Sequence, residues 1–145
     1  MYIYWIALGL LLVTGGVFNQ VQHSSDVVSE QASLDALSRS MLVYRAAAAE
    51  YAHSNPGFVG SPTDAALNLP SWYVKQGDIT SYIAGGISYT FVAAPPVGLP
   101  GVLAHHTESA TVGVNRQGAL YSPVTGWTSI SIPVAIPDGS VVAVY

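Results

Sequence analysis

The sequence predicts an α+β chain. An N-terminal membrane-anchoring helix continues into an amphipathic helix, which packs on an antiparallel sheet of about five strands. Three observations carry that reading. Residues Tyr2 to Phe18 hold no charge. All nine prolines lie at or after Pro56, and the 39 residues from Val17 to Asn55 contain neither Gly nor Pro. After Pro56 the apolar spacing changes from three-and-four steps to alternation, the difference between a helix and a strand. The expected segments are 1–23 for the anchor and its polar rim, 24–55 for the amphipathic helix and 56–145 for the β domain.

Composition narrows the function classes. The 145 residues suit one domain with an appendage. Four basic and eight acidic side chains give a formal net charge of −4, and only 8% of residues are charged, against about 25% in an average soluble protein. Apolar residues make up 50% and mean hydropathy is +0.41, which excludes an intrinsically disordered chain. Four scattered cations cannot neutralise many phosphates, so no nucleic-acid partner is expected. The absence of cysteine excludes disulfides, thiolate metal sites, thiol catalysis and cysteine lipidation.

The anchor comes first in the chain. Tyr2–Phe18 contains nine Leu, Ile, Val and Phe residues, each worth roughly −0.3 to −0.6 kcal/mol of insertion, so about −3 to −5 kcal/mol together. Seventeen residues rise roughly 25 Å as a helix, the short end of a membrane span. Tyr2, Tyr4 and Trp5 suit the headgroup level at one end, and Asn19, Gln20, Gln22 and His23 form a polar rim at the other. The expected lipid contacts are Tyr2, Trp5, Leu8, Leu11, Val17 and Phe18. A cleaved signal peptide would carry a basic leader and small residues before the cut. Here the first base is Arg39 and the exit reads Gly15-Gly16-Val17-Phe18-Asn19, so a retained single span is expected. The charge bias is slight. A short tail stays inside more easily than a domain, which places the N-terminus in the cytoplasm and the remainder in the periplasm of a Gram-negative cell.

The second segment is helical. Ser24, Ser25 and Asp26 offer a fresh cap, so an interruption is expected there. Leu34, Leu37, Met41, Tyr44, Ala48 and Tyr51 recur at spacings of 3, 4, 3, 4 and 3, one apolar stripe along one face. That stripe is expected to pack on the chain's own sheet; the other use is a coiled coil or partner helix. Ala46–Ala49 raises helix propensity, and Asn55-Pro56-Gly57 stops the helix.

Strands follow. Ile87, Tyr89, Phe91 and Ala93 alternate with polar or smaller residues. Ala110–Val114 and Ala119–Ser122 flank Asn115-Arg116-Gln117-Gly118, a hairpin with Gly118 at positive φ. Ser129–Ile132 is another run, ended by Pro133. Pro137-Asp138-Gly139 is a turn before the strand Ser140–Tyr145. Gly85-Gly86 reads as a turn before a strand. Ala94-Pro95-Pro96 and Leu99-Pro100-Gly101 read as loops.

Chemical motifs are sparse. His105-His106-Thr107-Glu108 groups two imidazoles and a carboxylate, but neighbouring side chains on a strand point oppositely, and a solvated loop is expected. His23 and His53 lie near helix ends, where cap or interfacial roles are ordinary. No G-x-S-x-G occurs, and no Ser, His and acid share a recognisable spacing. No catalytic, cofactor or metal residues are assigned, no cofactor or small-molecule substrate is expected, and the chain reads as non-enzymatic. Trp72-Tyr73 and Trp127 suit a core, with a binding patch as the other reading. Leu37, Tyr44, Trp72 and Tyr73 are the partner-binding candidates, together with exposed sheet edge.

A short N-terminal span, then Met41-Leu42-x-Tyr44-Arg45, then Tyr51-Ala52-x-x-Asn55-Pro56-Gly57, then Leu69-Pro70-x-Trp72-Tyr73, resembles the small PilM family of plasmid-type type IVB (thin) pilus systems. This is distinct from the actin-like protein that shares the name. The resemblance covers essentially the whole chain. It implies an inner-membrane component of the pilus assembly machinery that supports pilus biogenesis and conjugation, with other pilus-assembly proteins as partners, and it supplies no catalytic residues. Two other readings are a membrane-tethered periplasmic hydrolase and a minor pilin-like subunit. A prepilin carries Glu at the fifth position after its processing Gly; here that position after Gly16 is Val21.

Overall fold

A computed structural model describes residues 2–145, with side-chain surroundings for Ile6 and residues 26–145. The chain divides into two compact units, Met1–Ser33 and Leu34–Tyr145. Helix α1 runs Tyr2–Ser54, with no interruption at Ser24–Asp26. A run free of Gly and Pro has nothing to break the backbone, and a capping sequence does not impose a start by itself. The side chains of Tyr2, Trp5, Leu8, Leu11, Val17 and Phe18 lie outside the described residues. Among the described residues, no helix is long and apolar enough to cross a membrane. In the first unit, Asp26–Ser33 are all exposed, and Ser33 Oγ donates to the Ser29 carbonyl at 3.0 Å.

The second unit holds the sheet. Its strands are β1 (Ile79–Ala84), β2 (Ile87–Val92), β3 (Val112–Arg116), β4 (Ala119–Ser122), β5 (Gly126–Ser131) and β6 (Val141–Val144). Helix α2, Leu99–Thr107, separates β2 from β3. The order across the sheet is β1-β2-β6-β3-β4-β5, and every pairing is antiparallel. The last strand thus sits in the middle, where both neighbours satisfy its backbone, and Val141–Val144 are buried on both faces.

Two differences from the sequence expectation stand out. The sheet has six strands, not about five. The added one is β1, which pairs with β2 through Gly85 and Gly86, both at positive φ, as a tight hairpin of primed type requires. The Leu99–Thr107 stretch is helix, not loop. Pro100 falls in the first turn, where the missing N–H has no intrahelical partner to lose. Gly98 precedes it at φ 91. The other turns follow expectation: Gln117 and Gly118 both have positive φ between β3 and β4, and Gly139 has φ 81 before β6. Buried Asn115 couples those two turns. Its Nδ2 donates to the carbonyls of Ile136 and Pro137, and its Oδ1 accepts from Gly118 N–H.

Each sheet face has its own core. On one, Met41, Tyr44, Ala47 and Ala48 of α1 and Leu99 and Leu103 of α2 meet Ile79, Val92, Val112, Val141 and Ala143. Leu34, Leu37 and Tyr51 pack partly against this cluster. The helical stripe therefore covers the chain's own sheet, as expected. On the other face, Tyr89, Phe91, Leu120, Val142 and Val144 meet Ile132 and Ile136. The helix-side core draws no residue from β4 or β5.

Both sheet edges are blunted against strand addition. Gly60 covers part of β1 by exchanging two hydrogen bonds with Ile83, 3.0 and 2.8 Å. The β4–β5 ladder is bulged: Ala119 pairs with Ser131 but Tyr121 with Trp127.

Candidate functional site: a tryptophan-walled groove beside α1

Three polar ties fasten loops and α2 onto α1, and together they shape the surface available for contact. The first joins the two helices. His106 Nε2 lies 2.8 Å from Asp35 Oδ1, and its Nδ1 lies 3.0 Å from Ser38 Oγ. Arg39 Nε holds the other Asp35 oxygen at 2.9 Å. The residue types are those of a Ser-His-Asp hydrolase. The geometry is different, because Ser38 is 0% exposed and a carbonyl substrate cannot reach its oxygen. The group acts as a clasp between α1 and α2. His105 and His106 lie in the last turn of α2, and His106 is drawn to α1. Among the described residues, no three His, Asp or Glu side chains converge as a metal site.

The second tie fixes the loop after Pro62. Tyr44 is 1% exposed, and its hydroxyl donates to Asp64 Oδ1 at 2.6 Å. Lys75 Nζ adds bonds of 2.9 and 3.2 Å to the same carboxylate. The Tyr44 hydrogen bond, then Lys75, hold the Asp64 carboxyl below the usual range. Burial first, and Asp64 second, push the Tyr44 hydroxyl well above the usual phenol value.

The third tie carries the tryptophan. Ser40 Oγ donates to Tyr73 Oη at 2.9 Å, and Tyr73 Oη donates back to the Ser40 carbonyl at 3.2 Å. Ser40 Oγ also accepts from Gln76 N–H. Burial raises the Tyr73 hydroxyl above its ordinary value, which keeps it a donor. With Tyr73 pinned, its neighbours point outward: Trp72 is 70% and Val74 72% exposed. Between this loop and α1 lies an open groove of about 340 Å³, walled by Ala36, Arg39, Val43, Trp72, Tyr73 and Val74.

The four partner-binding candidates thus separate. Tyr44 is spent in the core, Leu37 is half-buried against it, Tyr73 is half-buried as the loop's pin, and Trp72 stands in solvent. Trp127 is also exposed, at 62%, so neither tryptophan fills the core. Sequence reasoning missed the Asp35–His106–Ser38 clasp and the Asp64 tie, which join residues up to 71 positions apart. It also left Arg45 unassigned. That guanidinium donates to the Val144 carbonyl at 2.7 Å and to Thr111 Oγ1 at 3.2 Å, and lies 5.3 Å from the centre of the Tyr145 ring. It locks α1 to the end of β6.

The sequence model of the PilM family matches residues 8–144. The chain belongs to the PilM family. Among solved structures, a crystal structure of a pilM protein from Pseudomonas aeruginosa is 49% identical, with 77% of this chain and 92% of that one covered and a TM-score of 0.51. A PilM protein from Escherichia coli is 22% identical, with 80% and 94% covered and a TM-score of 0.59; that likeness shows the fold. None of the curated proteins compared matches the chain. Of the residues that carry the resemblance, Met41, Tyr44 and Arg45 hold the fold together, and Asn55 caps α1 by donating to the Tyr51 carbonyl. Trp72, in the Leu69–Tyr73 segment of that set, is 70% exposed. PilM membership supports a role in pilus biogenesis.

Proposed function

We propose that this PilM protein is an inner-membrane-anchored component of a type IV thin-pilus assembly machinery, supporting pilus formation and conjugation. In this reading Tyr2–Phe18 spans the membrane once and residues 19–145 stand in the periplasm. The domain contacts other assembly proteins and performs no catalysis. The observation that carries it is the groove beside α1, where Trp72 and Val74 stand exposed on a loop that Tyr73 and Lys75 hold still. A rigid, exposed aromatic anchor beside an apolar helix flank is the kind of surface on which protein contacts concentrate their energy. Arg39 on the rim supplies a charged donor for orientation.

The test replaces Trp72 by Ala in cells. The expected result is a protein that still pellets with membranes and melts as the parent does, while thin pili and mating in liquid fall. Normal piliation would overturn the docking surface. Recovery of the intact parent chain in the soluble fraction would overturn the anchor, and a mature N-terminus starting inside the apolar run would favour the pilin-like reading.

A further inference from the structure

We infer that the uncovered β4–β5 face is a binding platform for a neutral glycan strand, with Trp127 as the stacking surface. Three observations converge there. First, the helix-side core draws on β1, β2, β3 and β6 and on no residue of β4 or β5; on β4 Ala119 and Tyr121 are half-buried, and on β5 Trp127 is 62% exposed. Second, the β4–β5 part carries an ordered aromatic ladder. Arg116 lies 4.2 Å from the centre of the Tyr121 ring, and Tyr121 meets the Trp127 ring edge-on at 5.4 Å and 80°. The ladder crosses β3, β4 and β5 through a diagonal and a direct cross-strand pair. It fixes the indole plane without covering it. Third, the exposed side chains along β5 are hydroxyl-bearing and uncharged beside the indole, and the ladder's one cation is Arg116 on β3. Along β5 the exposed positions are Trp127, Ser129 and Ser131, and Thr125 is exposed beside them. No Asp, Glu, Lys or Arg occurs between Arg116 and Asp138.

That chemistry selects its ligand. A sugar ring offers an apolar C–H face to an indole and a rim of hydroxyls to Ser and Thr side chains, each able to donate or accept. A charged polymer finds no counter-charge on β5 itself, and the platform's one cation, Arg116, is stacked on the Tyr121 ring. A protein hot spot wants aliphatic neighbours that exclude water; along β5 the exposed neighbours of Trp127 are serines, and the exposed aliphatic Val124 lies in the turn before the strand. The exposed positions Trp127, Ser129 and Ser131 alternate along a strand that bulges between Trp127 and Ser131, so indole and hydroxyls share one edge-strand surface that a few linked sugars can cover. The inference is independent of what occupies the Trp72 groove.

The test uses the full chain in a non-glycosidic detergent, titrated calorimetrically with the tetramers of N-acetylglucosamine and of β-1,4-glucose. Saturable binding of at least one is expected. Trp127→Ala should weaken it at least about tenfold, roughly 1.4 kcal/mol, whereas Trp127→Phe should bind nearly as the parent does and Trp72→Ala without change. Should Trp127→Ala melt early, the Ser129→Ala/Ser131→Ala double variant takes its place, again with weaker binding expected. Absence of saturable binding to both tetramers, or equal binding by parent and Trp127→Ala, overturns the proposal. So does loss of a protein partner on Trp127→Ala with no oligosaccharide effect, which would make this face a protein-docking surface.

Discussion

Over residues 34–54, helix α1 presents two flanks of opposite character. One flank, Met41–Tyr44–Ala48, is sealed against the sheet, and Met41 and Ala48 are 0% exposed. The other, Ala36–Arg39–Val43, borders solvent and the Trp72 loop. Both are apolar enough to pack, so hydrophobicity alone does not distinguish them. The difference is that the sealed flank repeats at helical spacing for the length of the sheet, whereas the open one is short and broken by Arg39. A long stripe buries enough area to pay for the order it imposes, and a short one is left for a second molecule. Substitution on the sealed flank should therefore cost folding, and on the open flank function.

The sharpest way to break the sealed side does not touch the helix. A Cβ at Gly113 would overlap the Tyr121 carbonyl oxygen and stand 2.9 Å from the Ser122 Cα. These are backbone atoms that cannot swing aside, so Gly113→Ala should cost more than about 3 kcal/mol, read as loss of the cooperative melt. Met41→Ala comes next. It leaves a cavity between α1 and the sheet and should cost about 2–5 kcal/mol in denaturant unfolding.

Smaller effects follow from the polar ties. Tyr44→Phe keeps the ring but removes the donor to Asp64, at about 1 kcal/mol. The linked pH dependence has a definite sign. Asp64 binds its proton less readily folded than unfolded, so its contribution is present above the ordinary carboxylate value of about 3.9 and is lost as pH falls through the lower folded value. Asp64 is largely solvent-exposed, so the effect is small. Melting temperatures of parent and Asp64→Asn should differ at neutral pH and converge in acid. At the alkaline end, the raised Tyr44 hydroxyl stabilises the fold below the unfolded phenol value of about 10. That stability drains above it, as unfolded tyrosine ionises and folded Tyr44 does not. Trp72→Ala should sit within about 0.5 kcal/mol of the parent in stability while impairing pili. If it destabilises as Met41→Ala does, the two flanks are not different in kind.

Legibility in the sequence followed the range of the interaction. The α1 stripe, the β3–β4 hairpin at Gln117-Gly118 and the Pro137-Asp138-Gly139 turn were readable because spacing and φ demands are local. Strand β1 escaped because Ile79–Ala84 shows only a short alternation between turn signals. Helix α2 escaped because Pro100-Gly101 resembles a loop until Leu99 and Leu103 find a core to enter. The candidate site was half visible. The Trp72-Tyr73 pair could be singled out by residue type, but not which ring would be pinned and which left in water.

The sequence by itself determined a breaker-free helix, an alternating C-terminal half, a chain poor in charge and a family likeness, because each is a property of neighbours along the backbone. Only the tertiary structure decided that β6 lies between β2 and β3, that His106 closes on Asp35 and Ser38, and that both exposed tryptophans escape the core. Those outcomes depend on which surfaces meet after collapse, where burial and hydrogen-bond pairing between distant residues outweigh any local preference.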